Sequence, residues 1–276
     1  MCIRDREYDI DNDWWTQRAD MPGTVRNAAT GFPVGNKGYI TTGYNPDQKY
    51  LADTWEYDPE TNTWRQMDDF KGGARYYALG FGIDNYGYVG TGYNDNYLKD
   101  FYRFDPTAAA GSQWTIVNGF GGQKRQGATA FVINGKAYVC GGQNNNSDVS
   151  DFWRFDPSAA TPWTQLRDIA NTSDDDYDDD YTSIVRSYGV SFVIDGKAYL
   201  TLGSTAGGSY YSNYWIYDPE TDLWEGDDLT AFEGSTRIHA VCFSTGTRGI
   251  IATGGSGSSS YFDDTWELKP YEYEEE

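Results

Sequence analysis

Short apolar and aromatic runs alternate with turn residues along the whole chain, and one stretch, Arg125–Trp163, shows the arrangement clearly. Two apolar runs meet at Asn134-Gly135, and the second ends in Gly141-Gly142. A polar loop follows, then the aromatic run Asp151–Pro157, then an isolated Trp163. Runs of this length with period-two alternation, separated by Asn-Gly and Asp-Pro turns, predict four short antiparallel strands.

The same pattern recurs five times. Each copy begins with an arginine and closes its second strand with a glycine; the arginines are Arg26, Arg75, Arg125, Arg186 and Arg237, and the glycines Gly43, Gly92, Gly142, Gly203 and Gly255. Successive glycines lie 49, 50, 61 and 52 residues apart, and the acidic insertion Asp174–Tyr181 accounts for the long interval. A period near 50 residues is typical of propeller blades.

The first strand of each copy has one small face and one aromatic face. Five residues after the arginine the side chain is small, and the sixth residue is always phenylalanine: Phe32, Phe81, Phe131, Phe192 and Phe243. Because neighbouring residues of a strand point to opposite faces, one face fits a crowded space and the other inserts a ring between sheets.

The third and fourth strands carry the remaining repeated residues. The third strands are 53–59, 100–106, 151–157, 213–219 and 264–270, and the tryptophans of the fourth strands are Trp64, Trp114, Trp163 and Trp224. The last copy ends at Pro270 without a fourth strand, whereas residues 7–17 align with a third and a fourth strand.

The double glycine, the aromatic-Asp-Pro run and the spaced tryptophan resemble the kelch repeat. The resemblance implies an all-β fold, a kelch-type β-propeller of four-stranded antiparallel blades, with five repeat units and a partial amino-terminal unit. Thr42, Thr91 and Leu202 replace the first glycine of the pair, and Lys269 replaces the aspartate. We expect one propeller domain over residues 7–270, with units at approximately 7–25 (partial), 26–74, 75–124, 125–185, 186–236 and 237–270.

The two ends are interpreted separately. Residues 1–6 (MCIRDR) look like a translated sequencing adapter, which predicts an amino-terminally truncated fragment of a parent with six or more blades. In the alternative, Trp14–Arg18 supplies the missing outer strand of the last blade and closes a five-bladed ring. Residues 271–276 form an acidic tail.

Charge and composition exclude several classes of protein. The net charge of −21 argues against binding to nucleic acid or to anionic membrane surfaces. No apolar run is long enough to predict a transmembrane segment. Cys2, Cys140 and Cys242 fit neither a disulfide framework nor a zinc site, and His239 is the only histidine.

Candidate ligand-binding residues cluster in the loops that join strand two to strand three and in the connections between blades. These loops are longer and more varied than the other turns, and variable loops on a rigid scaffold commonly carry binding sites. The candidates are Arg26, Arg75, Arg125, Arg186, Arg237, Tyr44, Tyr93, Tyr211 and Tyr261.

Each group of candidates has a structural alternative. The tyrosines could be packing residues of ordinary solvated loops. The arginines could hold an anion such as a carboxylate-bearing sugar, or they could pair with the recurring Asp53, Asp100, Asp151 and Asp264.

The acidic insertion is a candidate Ca²⁺ site through Asp174, Asp176, Asp178 and Asp180, although it lacks the glycine and terminal glutamate of an EF-hand. A solvated acidic loop is the alternative. No other cofactor is expected.

The sequence favours a non-catalytic binding module, because it contains no clear acid–base pair, nucleophile elbow or phosphate loop. Some kelch propellers resemble copper-radical galactose oxidases, whose site needs two histidines, so His239 alone excludes that activity. A carbohydrate-active kelch enzyme such as a sialic-acid epimerase is the alternative. We expect a monomer that recognises a glycan or protein, located extracellularly or at a bacterial cell envelope.

Overall fold

Five antiparallel sheets of three or four strands follow one another along the chain in the computed structural model, which describes residues 5–226, 231–257 and 259–270. The chain divides into two compact units, residues 1–120 and 121–276. The first unit contains two of the sheets and the second contains three. Among the described residues, no helix is long and apolar enough to cross a bilayer.

The first unit opens with a two-stranded hairpin and continues with two four-stranded sheets. The hairpin is β1 (Arg6–Asp9) and β2 (Trp14–Gln17). The first sheet and its loop hairpin comprise β3 (Thr30–Val34), β4 (Lys37–Thr41), β5 (Tyr44–Asn45), β6 (Lys49–Tyr50), β7 (Thr54–Asp58) and β8 (Thr63–Met67), ordered β3-β4-β7-β8 with β5-β6 as a separate pair. The second sheet comprises β9 (Leu79–Ile83), β10 (Tyr86–Gly90), β11 (Phe101–Phe104) and β12 (Trp114–Val117).

The second unit contains the third, fourth and fifth sheets. The third repeat comprises β13 (Thr129–Ile133), β14 (Lys136–Cys140), β15 (Gln143–Asn144), β16 (Ser147–Asp148), β17 (Trp153–Phe155) and β18 (Trp163–Gln165), followed by one turn of 3₁₀ helix (Asp176–Asp178). The fourth comprises β19 (Val190–Ile194), β20 (Lys197–Thr201), β21 (Trp215–Asp218) and β22 (Leu223–Glu225). The fifth comprises β23 (Val241–Ser244), β24 (Gly249–Ala252), β25 (Gly255–Ser256), β26 (Ser260–Tyr261) and β27 (Thr265–Leu268).

The sheets match the predicted repeat strand by strand. In the first four, the order is strand one, two, three, four, and the described part of the fifth has three strands, as the sequence predicts. Tyr8 pairs with Trp15 in the amino-terminal hairpin, as Tyr57 pairs with Trp64 in the first sheet. Residues 7–17 therefore have the register of a third and a fourth strand, and β2 pairs with β1.

The ends of the chain bear on two of the sequence predictions. Residues 1–4 of the suspected adapter and the tail 271–276 lie outside the described residues. Within residues 1–6, Arg6 pairs with Gln17 across the hairpin, and the Asp5 carboxylate accepts a hydrogen bond from the amide of Met21 at 2.7 Å.

One assignment of the sequence analysis is wrong by a single residue. The glycine that ends the second strand of the fifth repeat is Gly254, not Gly255, because its φ of 98° and the close approach of Ile238 O and Ala240 N match those of its counterparts. All five arginine-to-glycine separations are therefore 17 residues. The preceding residue is left-handed in every repeat, so Thr42, Thr91 and Leu202 adopt the conformation that favours glycine.

Two of the repeated phenylalanines, Phe32 and Phe131, form part of the core between neighbouring sheets of one unit. In the first unit, Phe32 lies 5.9 Å from Phe104 and 6.2 Å from Trp114, ring centre to ring centre. In the second, Phe131 lies 5.7 Å from Tyr217 and 6.1 Å from Trp224. These are edge-on or tilted aromatic contacts, which add stability beyond the burial of apolar area.

Close backbone approach explains the small residues on the other face of the first strands. A side chain at Gly82 would overlap the carbonyl of Pro33, and one at Gly80 would overlap the side chain of Thr30. The predicted division of the first strand into a small face and an aromatic face is therefore confirmed within the first unit.

Candidate functional site

The five arginines that open the repeats are buried at the ends of the first strands. Their side chains are between 0% and 8% exposed, and each donates a hydrogen bond to the carbonyl of the left-handed residue before the repeated glycine. Four form ion pairs with the aspartates that begin the third strands: Arg26 with Asp53, Arg75 with Asp100, Arg125 with Asp151 and Arg237 with Asp264.

These pairs join the two ends of each loop that connects strand two to strand three. Arg26 binds Asp53 through both guanidinium nitrogens at 2.7 and 2.5 Å, and Arg75 binds Asp100 likewise at 2.6 and 3.0 Å. Paired charges of this kind fix the loop ends, because two parallel charge-assisted hydrogen bonds define one geometry. Four of the five arginines thus pair with the recurring aspartates, which is the second of the two alternatives that the sequence pattern allows.

Arg186 differs because Asn213 occupies the aspartate position. Among the described residues no carboxylate forms an ion pair with it, and its guanidinium donates to the carbonyls of Ser183, Ile184 and Leu202. Burial lowers the pKa of Arg186 to about 10. The ring of the half-buried Tyr211 covers the guanidinium at 4.7 Å, a cation–π contact that partly replaces the missing carboxylate.

The backbone next to each repeat's arginine has the same conformation in all five repeats. Three positions there can therefore be compared from one repeat to the next. The residue after the arginine forms a backbone bridge with the residue after the repeated glycine: Asn27 with Tyr44, Tyr76 with Tyr93, Gln126 with Gln143, Ser187 with Ser204 and Ile238 with Gly255. The residue two after the arginine is left-handed in every repeat: Ala28, Tyr77, Gly127, Tyr188 and His239. Side chains vary at these positions while the backbone repeats, which is the expected signature of a binding surface on a fixed scaffold.

In the first unit these positions and their loops form a tyrosine cluster, defined here as Tyr44, Tyr50, Tyr76, Tyr93 and Tyr97. Tyr76 is central: its ring centre lies 5.6 Å from that of Tyr44, 5.6 Å from Tyr50 and 5.8 Å from Tyr93. Tyr93 in turn lies 5.0 Å from Tyr97. All five side chains are half-buried, so each ring is held by its neighbours and still reaches solvent.

The tyrosine cluster is fixed in orientation as well as in position. The planes of Tyr50 and Tyr76 are only 5° from parallel. The Tyr50 hydroxyl donates to the Asp95 carboxylate at 2.7 Å, and this bond raises the pKa of Tyr50 to about 12. Burial raises the pKa of Tyr76 as well. Both side chains therefore remain neutral hydrogen-bond donors and acceptors at physiological pH.

In the second unit the corresponding positions form a polar cluster, defined here as Gln126, Gln143, Tyr188 and His239. The Tyr188 hydroxyl accepts hydrogen bonds from the amides of Gln126 at 2.8 Å and Gln143 at 2.7 Å. The Tyr188 ring lies 4.5 Å from the imidazole of His239. Desolvation by neighbouring residues lowers the pKa of His239 below its ordinary value, even though part of the side chain is exposed to solvent. The lowered pKa favours the neutral imidazole.

The structure brings together some of the sequence-predicted site residues and separates others. Tyr44 and Tyr93 belong to the tyrosine cluster, Tyr211 covers Arg186, and Tyr261 is 81% exposed on β26. The sequence analysis missed Tyr76, Gln126, Gln143 and Tyr188. Tyr76 and Gln126 could have been found by comparing the residue that follows each repeated arginine, because that residue differs between repeats while the residues around it recur.

The acidic insertion is organised around one buried carboxylate. Asp178 is fully buried and accepts the amides of Thr172 and Ser173 at 2.9 and 3.0 Å and the Ser173 hydroxyl at 2.9 Å. Within the described ranges, no group of three or more histidine, cysteine, aspartate or glutamate side chains could hold a metal ion. The structure therefore does not gather Asp174, Asp176, Asp178 and Asp180 into a calcium cage, and Asp178 acts as an internal hydrogen-bond acceptor.

Comparison with known proteins supports the fold. A family model described as Kelch motif matches residues 33–71 and 124–166. A solved structure described as "Structure of YjhT" aligns with a TM-score of 0.76 at 15% identity, over 95% of this chain and 86% of the other. This likeness concerns the fold.

Curated relatives match a part of the chain. N-acetylneuraminate epimerases of Yersinia pestis (strain Pestoides F) and Yersinia pseudotuberculosis (serotype O:1b, strain IP 31758) are 29% identical over 164 residues, or 49% of this chain. The match spans 41% of the length of each relative. The succession of antiparallel sheets and the match to a solved structure show a β-propeller fold, and the family model shows kelch motifs within it.

Proposed function

We propose that this protein is a non-catalytic recognition module that binds a glycan through its strand-two-to-three loops. The tyrosine cluster of the first unit carries the proposal. Tyrosine offers a large, rigid surface with an apolar face and a polar edge, and it loses little side-chain entropy on binding. Sugars have the complementary character, with C–H groups on their faces and hydroxyls around their rims.

The scaffold supports the proposal by holding the loops in place before a ligand arrives. Buried Arg26–Asp53 and Arg75–Asp100 pairs fix the two loops that contribute most of the rings. A preorganised site avoids the entropy cost of ordering loops on binding. The partial similarity to N-acetylneuraminate epimerases also favours a carbohydrate over a protein ligand. As the setting we propose the bacterial cell envelope, with the protein acting as a monomer.

Glycan-array binding with the purified protein tests this function. We expect binding that is lost in the double variant Tyr44→Ala/Tyr93→Ala and retained in Tyr86→Ala, since Tyr86 begins β10 at a strand-one-to-two turn, outside the proposed binding loops. Thermal unfolding of each variant shows whether it is folded. Absence of binding to any glycan, or capture of protein ligands alone, would overturn the proposal.

A carbohydrate-active enzyme is the second candidate, and the partial match to N-acetylneuraminate epimerases favours it. In that case the Tyr188–His239 pair of the second unit supplies a hydroxyl and a neutral imidazole close to each other. NMR detection of N-acetylneuraminate anomer exchange tests the activity directly. Exchange that disappears in both Tyr188→Phe and His239→Ala would support the enzyme, and exchange at the uncatalysed rate would exclude it.

A further inference from the structure

We infer that the tyrosine cluster selects neutral, linear, β-linked pyranose chains with equatorial hydroxyls, and that it rejects carboxylated sugars. This inference rests on the proposed function, because it names the class of glycan that the same site accepts. Ring geometry and local charge carry it independently.

Four rings of the tyrosine cluster form an extended aromatic surface. The rings follow one another from Tyr97 through Tyr93 and Tyr76 to Tyr50, with neighbouring centres between 5.0 and 5.8 Å apart. Tyr50 and Tyr76 are stacked within 5° of parallel, whereas Tyr93 lies at 84° to Tyr76 and Tyr97 at 72° to Tyr93, so faces and edges of rings alternate along the series. A succession of rings fits an extended ligand better than a compact one.

The face of a phenol ring carries negative quadrupole charge and attracts C–H groups. A pyranose with equatorial hydroxyls presents axial C–H groups on both faces, so it can stack without burying an unpaired hydroxyl. An axial hydroxyl pointing at the ring would lose its hydrogen bonds to water without gaining a partner. β-1,4-Linkages between such sugars give an extended chain, as in cellopentaose, whereas the α-1,6-linkages of isomaltopentaose give a more flexible chain that follows the series of rings less well.

The guanidinium groups beside the tyrosine cluster are already engaged in ion pairs. The two guanidinium groups nearest the cluster, those of Arg26 and Arg75, are buried and engaged by Asp53 and Asp100. A carboxylated sugar therefore meets no guanidinium fork, which is the usual partner of a carboxylate.

The exposed charges of the same loops balance one another. Lys49 and Lys99 are offset by Asp47 and Asp95, and Asp95 is fixed beside Tyr50. The chain as a whole carries a net charge of −21, which repels anions. A neutral ligand needs no guanidinium partner and is not repelled by the net negative charge.

Isothermal titration calorimetry with three probes tests the inference: cellopentaose (neutral, β-linked), isomaltopentaose (neutral, α-linked) and 3′-sialyllactose (carboxylated). We expect cellopentaose to bind at least about tenfold more tightly than either of the others. Tyr76→Ala should weaken cellopentaose binding at least about fivefold, whereas Tyr76→Phe should retain most of it because the ring remains. Tyr86→Ala, at the strand-one-to-two turn of the same unit, is the matched control, and thermal unfolding of each variant verifies folding.

The outcomes separate this inference from the proposed function. Preferential binding of sialyllactose or isomaltopentaose, with loss in Tyr76→Ala, would overturn the neutral β-linked specificity and leave a glycan-binding module. Cellopentaose binding that is unchanged in folded Tyr76→Ala would also overturn the inference, because the rings would then not be the site. Failure of all three probes and of the glycan array would overturn both.

Discussion

The residue that departs most from the repeated frame is Asn213. In four repeats the buried arginine has a carboxylate partner, and in the fourth it has an amide. The desolvation cost of Arg186 is already present in the folded protein, so adding a carboxylate recovers Coulomb energy without burying a second cation. The Ser183 hydroxyl, which now accepts from Asn213 at 2.6 Å, can donate to an aspartate instead.

We therefore expect Asn213→Asp to raise the free energy of unfolding by about 1–2 kcal/mol. Urea unfolding measures it as a higher midpoint with an unchanged slope. Asn96→Asp adds the same charge at an exposed loop position and should have little effect. A destabilised Asn213→Asp protein would show that Tyr211 and the carbonyls already satisfy Arg186 fully.

Asp264 predicts a residue-specific acid sensitivity. Its hydrogen bonds with Arg237 lower its pKa from the ordinary 3.8 to about 2. A carboxylate with a lowered pKa in the folded state contributes stability above the unfolded pKa and loses it as the pH falls through the folded value. We expect the stability gap between the parent and Asp264→Asn to be constant above about pH 5 and to shrink between about pH 4 and pH 2. Urea titrations across this range measure the gap, and a gap that is the same at pH 5 and pH 2 would contradict the assignment.

At the scale of elements, the hairpin turns carry their own test. Asn134 and Gly135 both have positive φ, 49° and 71°, between strands β13 and β14, as a type I′ turn requires. A Cβ at Gly135 would meet nothing within 4 Å, so substitution there costs backbone strain alone. Gly38 in β4 has equally open space and no positive φ.

We expect Gly135→Ala to destabilise the protein by about 1–2 kcal/mol and Gly38→Ala to be neutral or slightly stabilising. Thermal or urea unfolding of the matched pair measures the difference. Equal effects of the two substitutions would mean that the turn relaxes to a conformation that alanine accepts.

The same elements show what the sequence could predict. Strand order, registers such as Tyr57 with Trp64, and the three strands of the described part of the fifth repeat follow from residue spacing, because period-two patterning and turn chemistry act locally. The misplaced glycine of the fifth repeat shows the limit. Gly254 and Gly255 are both glycines, so the sequence does not show which of them ends the second strand. Only the backbone conformation distinguishes them.

The candidate site was less predictable because it depends on contacts between repeats. Tyr76 and Tyr50 are 26 positions apart, and their parallel stacking follows from how two neighbouring repeats pack. Likewise, Gln126 and Tyr188 come from different repeats and meet through a hydrogen bond. Spacing within one repeat contains no information about such pairs. Alignment of the repeats does show which positions vary, and several of these variable positions contribute to the tyrosine cluster and the polar cluster.

At the scale of the whole molecule, the net charge of −21 makes ionic strength a probe of the ligand class. Attraction or repulsion between exposed charges is screened by salt, whereas stacking of a neutral sugar on tyrosine involves no net charge. We expect the affinity for cellopentaose to change less than about twofold between about 0.02 and 0.5 M NaCl. Calorimetry at both concentrations measures it, with Tyr76→Ala as the reference for loss of the site. A steep fall in the affinity for cellopentaose with salt would contradict stacking as the source of binding and would indicate that charged loop residues such as Lys49 and Lys99 control the site; Lys49→Gln/Lys99→Gln would then abolish that dependence. Affinity that stays constant across this range would favour aromatic stacking as the source of binding in a strongly acidic protein.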